Sequence, residues 1–83
     1  MDIQSNNETA VYEILKLQKL RADRGISKTE LARLSGVAVN TVSSAEKRIG
    51  KRYETLMKIF NALNEIYGGD LKSQEYIVKK DRK

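Results

Sequence analysis

The sequence predicts an all-α fold, a single small domain of four to five short helices followed by a C-terminal tail whose pattern assigns no element. Three observations predict it. Proline is absent and glycine numbers only five in 83 residues, so helices can run unbroken between short turns. Apolar residues recur at helical spacing, most clearly in Leu56, Ile59, Phe60, Leu63, Ile66 and Tyr67. Alternating β-branched or aromatic runs between turn clusters are nearly missing.

Each helix has its own start and stop signals. Ser5 and Glu8 have the capping-box spacing, so a first helix is expected after Ser5, carrying Val11, Ile14, Leu15, Leu17 and Leu20 and ending at Gly25. Ser27 and Glu30 form a second box, and helix two is expected from Lys28 to about Ser35, burying Leu31, Ala32 and Leu34. Gly36 stops it. Helix three is expected over 39–47 with Val42 and Ala45 inward, although Ala38 stands where a capping Ser or Thr belongs. A basic loop follows, and then the strongly amphipathic helix four, ended by Gly68 and Gly69. In the tail, Tyr76 and Val78 fit a short edge strand, and the last residues read as a frayed end. The chain thus divides into an N-terminal arm (1–8), a helical domain (9–69) and a tail (70–83) that serves dimerisation or a partner.

Composition narrows the function. A chain of this length buries roughly 60–65 % of its unfolded surface, enough for one core. Cysteine and histidine are both absent, which removes disulfides, thiolate metal sites and the commonest catalytic base. The Ser43–Ser44 pair has no adjacent base to activate it, so no enzyme and no cofactor are expected. No signal peptide and no apolar run near the ~18 residues of a membrane span are found, and a cytoplasmic protein with no membrane partner is expected. The net charge of +5 is concentrated: from Lys16 to Arg52 there are ten Lys or Arg against three acids, Asp23, Glu30 and Glu46. Such a patch is the electrostatic footprint of a polyanion partner, or else a solvated face.

Two short helices joined by a turn at Gly36 form a helix-turn-helix candidate. Ala32 is small where the third helix crosses, and Val37 and Val42 fill the angle between the helices. The outward face of helix three is Val39, Asn40, Ser43, Ser44 and Lys47. A helix selected for stability alone would show Glu, Lys and Gln pairs there. Short uncharged donors and acceptors are what a helix needs to approach base edges in a major groove. Asn40 suits adenine, Ser43 and Ser44 accept or donate, and Val39 suits a thymine methyl. The loop cations Lys47, Arg48, Lys51 and Arg52 then lie beside the phosphate backbone, with Thr29 and Thr41 as further phosphate contacts.

Residues 14–67 resemble the Xre/Cro-type, lambda-repressor-like helix-turn-helix domain of phage and bacterial repressors. The likeness is carried by LQKLR, GISKTELARLSGV, NTVSSAE and TLMKIFNALN. It implies that Leu31, Ala32, Val37 and Val42 form the inner core of the motif. It also implies that Val39, Asn40 and Ser44 read bases, with Ala38 and Ser43 flanking, and that Lys28 contacts a phosphate. Arg21 and Glu46 match a pair that often forms a partly buried ion pair between helix one and the end of helix three. Three departures stand out. Arg48 occupies a position usually held by Gly, the loop to helix four is about one residue short without its customary Pro, and no clear fifth helix follows Gly69.

The expected function is therefore a sequence-specific DNA-binding transcriptional regulator, a repressor that acts on double-stranded DNA as a homodimer. The alternative keeps the fold for another use. It is an antitoxin-like protein whose tail, through exposed Tyr76, Ile77 and Val78, takes a protein partner, or an architectural accessory protein of a mobile element.

Overall fold

The computed structural model describes residues 10–80. In chain order these form β1 (Tyr12–Ile14), α1 (Leu17–Asp23), α2 (Lys28–Ser35), α3 (Val39–Glu46), α4 (Tyr53–Ile66), α5 (Ser73–Tyr76) and β2 (Ile77–Lys79). The domain is mostly helical but not all-α, because β1 and β2 pair as a small antiparallel sheet. The register sets Tyr12 opposite Lys79, Glu13 opposite Val78 and Ile14 opposite Ile77.

The sheet corrects the expected first helix. Ser5 and Glu8 lie outside the described residues, and the segment before Leu17 is extended rather than helical. Val11, Ile14 and Leu15 fit the spacing of a helix face, yet so short an apolar run suits a strand equally well. The partner strand decides between them. The Leu15 N–H donates to the Tyr76 carbonyl at 2.7 Å, and the Lys80 N–H donates to the Val11 carbonyl at 2.9 Å. The chain then turns sharply through Lys16, whose backbone is left-handed (φ 61°), and α1 begins.

The middle helices follow their local signals. The Ser27 hydroxyl accepts the Glu30 N–H at 3.0 Å, so half of the capping box forms. Glu30 does not complete it, because its carboxylate turns to Arg33 on the next turn of α2. Gly36 closes α2 in the left-handed conformation (φ 76°). α3 starts at Ala38 with no side-chain cap, as the missing hydroxyl predicts. Leu34 corrects another expectation: it lies on the solvent side of α2 at 47 % exposure, while Leu31 and Ala32 take the inward positions.

The core gathers Ile14, Leu17 and Leu20 from the N-terminal part with Leu31, Ala32, Val42 and Ala45 of the two-helix motif. Leu56, Ile59, Phe60 and Leu63 of α4 and Ile77 of β2 complete it. The tail is therefore part of the fold. Ile77 is buried, Val78 is half-buried, and the half-buried Tyr76 ring packs against Phe60 at 6.1 Å between centroids. None of the three is the exposed apolar residue that a partner-binding tail requires.

The loop after α3 is fastened to the same sheet. Tyr12 and Lys51 exchange backbone hydrogen bonds at 2.7 and 2.9 Å, so Lys51 extends the ladder on the other edge of β1. Gly50 lies flat against Val11: a Cβ built there would stand 2.9 Å from Val11 Cγ2 and 3.3 Å from Lys80 Cδ. Gly50→Ala is expected to lower stability by about 1–3 kcal/mol, because overpacking must push the loop off the strand. Urea unfolding of the two proteins, with unchanged m-value, is the measurement that checks it.

Candidate nucleic-acid interface

The proposed reading face is built by α2 and α3. Gly36 and the three-residue turn to Ala38 set α3 across α2, and Val42 and Ala45 are fully buried at the crossing. Val37 is half-buried and packs on the core, its N–H donating to the Ala32 carbonyl at 3.1 Å. With Val42 and Ala45 turned inward, Val39 and Asn40 are exposed at the N-terminal end of α3. Thr41, Ser43 and Ser44 are half-buried along its sides. No charged side chain occurs between Val39 and Ala45.

The cations lie around this helix. Lys28 is the first residue of α2, and the exposed Thr29 follows it. Lys47 is exposed at the C-cap of α3, and Arg52 is exposed at the N-cap of α4. Lys51 is half-buried because its backbone is held by Tyr12.

Arg48 takes the left-handed conformation (φ 62°) that glycine adopts without strain. For a residue with a Cβ this backbone costs roughly 1–2 kcal/mol. Its side chain is engaged: Arg48 Nε donates to Glu13 Oε1 on β1 at 2.8 Å. Its carbonyl accepts Lys80 Nζ at 3.0 Å. Sequence reading missed both Glu13 and Lys80. The available signals were the β-prone runs VYEI and YIV at opposite ends, which are too short to be told from helix without their partner.

Arg21 and Glu46 meet beneath α3. Arg21 Nε and Nη2 both donate to the Glu46 carboxylate, the latter at 3.3 Å, while Nη1 donates to the Ile26 carbonyl at 2.8 Å. Lys28 Nζ stands 4.0 Å from the same carboxylate. The Glu46 side chain is only 6 % exposed and that of Arg21 14 %. Two cations, one of them a bidentate fork, thus surround one acid at the end of the helix.

Two helices at a glycine turn, the second with an uncharged outward face ringed by cations, define a helix-turn-helix protein. The family profile of the Cro/C1-type helix-turn-helix DNA-binding domain matches residues 16–67, more than half of the chain, and the chain belongs to that family. No curated protein and no solved structure gives a significant match. Among the described residues no helix is long and apolar enough to cross a membrane.

The ion pair yields a stability prediction. Arg21→Met leaves a buried carboxylate with only the distant Lys28, and is expected to cost on the order of 3 kcal/mol. Arg21→Met combined with Glu46→Leu is expected to recover most of that loss. Thermal or urea unfolding of the single and double variants checks both expectations.

Proposed function

We propose that the protein is a sequence-specific transcriptional regulator, a repressor that places α3 in the major groove and acts by occupying an operator. The observation that carries this reading is the surface of α3. It is exposed at Val39 and Asn40, uncharged from Val39 to Ala45, and bordered by Lys28, Lys47, Arg48, Lys51 and Arg52. Asn40 pairs bidentately with adenine, Val39 meets a thymine methyl, and Ser43 and Ser44 supply shorter contacts. Thr29, Thr41 and the bordering cations engage phosphates, which fix the register without reading sequence.

One domain of this size makes few base contacts, so selective binding calls for two copies on DNA. The protein acts as a homodimer on half-sites about one helical turn (~34 Å) apart. With roughly five or six phosphates engaged per domain, the log–log dependence of affinity on salt has a slope near −5 per domain.

Selection of binding sites from a random duplex pool tests the reading directly. A recovered motif with two half-sites supports it, and equal binding to selected and scrambled duplexes sinks the sequence-specific claim. On the selected site Asn40→Ala is expected to cost roughly 1–3 kcal/mol, with far less effect on scrambled DNA. Equal losses on the two duplexes would argue against base reading by Asn40.

A further inference from the structure

We infer that Glu13 is a positioning residue for Arg48, and that the β1–β2 sheet thereby sets a phosphate contact at the C-terminal end of α3. The inference rests on the DNA-binding reading above and adds to it residues that lie outside the family match at 16–67.

Arg48 is fixed from three sides. Its backbone is held left-handed, at φ 62°. Its carbonyl accepts Lys80 Nζ from the residue after β2. Its Nε donates to Glu13 Oε1 at 2.8 Å, and the Glu13 side chain is 15 % exposed while that of Arg48 is 59 % exposed. Glu13 points away from the core on the face of β1 that also carries Val11, and the loop folds back over that face.

The loop has other fastenings besides these. The paired backbone of Tyr12 and Lys51 and the contact of Gly50 with Val11 already fasten it to the strand. An exposed ion pair adds little to stability. Glycine at position 48 would remove the backbone strain outright. Strain that persists at an exposed arginine therefore points to the work of its side chain.

The arrangement suits one task. The carboxylate engages only Nε, and both Nη groups have no hydrogen-bond partner among the described residues. A guanidinium oriented through Nε presents its Nη donors as a fixed fork, the geometry that matches a phosphate. The remaining loop cations, Lys47, Lys51 and Arg52, form no ion pair among the described residues, so no acid orients their side chains. Arg48 is the cation of this loop whose direction the fold sets in advance.

A double-mutant cycle on a mixed-sequence duplex tests the inference, using the unaltered chain, Glu13→Gln, Arg48→Gly and both together. Loss of the Glu13 charge raises affinity for a polyanion equally in either background, so the ratio of the two Glu13→Gln effects isolates positioning. That ratio is expected to be about threefold or more, with Glu13→Gln harmful only when Arg48 is present. Arg48→Gly is expected to reduce the steepness of the salt dependence by about one. A ratio below about threefold overturns the inference while leaving the DNA-binding reading intact. Absence of duplex binding by the unaltered chain overturns both.

Arg48→Lys keeps the charge but has no planar fork to join a carboxylate and a phosphate. It is expected to lose as much affinity as Glu13→Gln while circular dichroism shows the helices intact. Full affinity in this variant overturns the inference even if Glu13→Gln fails to fold.

Discussion

The orientation of α3 depends on one carboxylate. Glu46 is the last residue of that helix, where the macrodipole disfavours an acid. It is also nearly buried, where an unpaired charge would be costly. Arg21 resolves both problems by donating through Nε and Nη2 to the acid and through Nη1 to the Ile26 carbonyl. One guanidinium thus joins the end of α1, the approach to α2 and the end of α3. Val42 and Ala45 set how closely α3 approaches the core and which of its sides is buried. The directional fork of the pair adds a tether at the end of α3 to the side choice that Val42 and Ala45 make.

The second constraint comes from the two ends of the described chain. β1 and β2 carry Ile14 and Ile77 into the core on one face and hold the 48–51 loop against the other. Gly50 permits that approach because it has no Cβ, and the Tyr12–Lys51 ladder locks it. A loop between two helices is ordinarily the mobile part of such a domain. Here it is clasped by a sheet, so the cations beyond α3 sit on a built platform.

The three helices α2, α3 and α4 were legible in the sequence because their signals are local. The Ser27 cap, the turn at Gly36 and the stripe on α4 each lie within a few residues of the structure they specify. The outward face of α3 was legible for the same reason, since Val42 and Ala45 fix which side is buried. The sheet was not. Each strand is three residues long, and each is defined by a partner at the opposite end of the chain. Val11, Ile14 and Leu15 satisfied a helical period that β2 then overrode. Position 48 lacks the glycine that the family resemblance leads one to expect there. Arg48 adopts the left-handed backbone nonetheless, held by Glu13 and Lys80, contacts that no short-range pattern reveals.

These two constraints separate affinity from specificity in the proposed function. In that reading specificity resides on α3, whose setting depends on the Arg21–Glu46 pair and on a core that lies within the family-matched residues 16–67 apart from Ile14 and Ile77. Much of the phosphate affinity resides on the loop after α3, whose setting depends on β1 and β2, outside that span. Phosphate contacts contribute a salt-dependent term common to all sequences, whereas base contacts discriminate among them. On the proposed reading, changes at the outward-facing Glu13 of β1 adjust how tightly any DNA is held, whereas changes at the inward-facing Ile14 and Ile77 act on the core itself. The sheet is thus, on that reading, a second lever on binding, separate from the helix that reads bases.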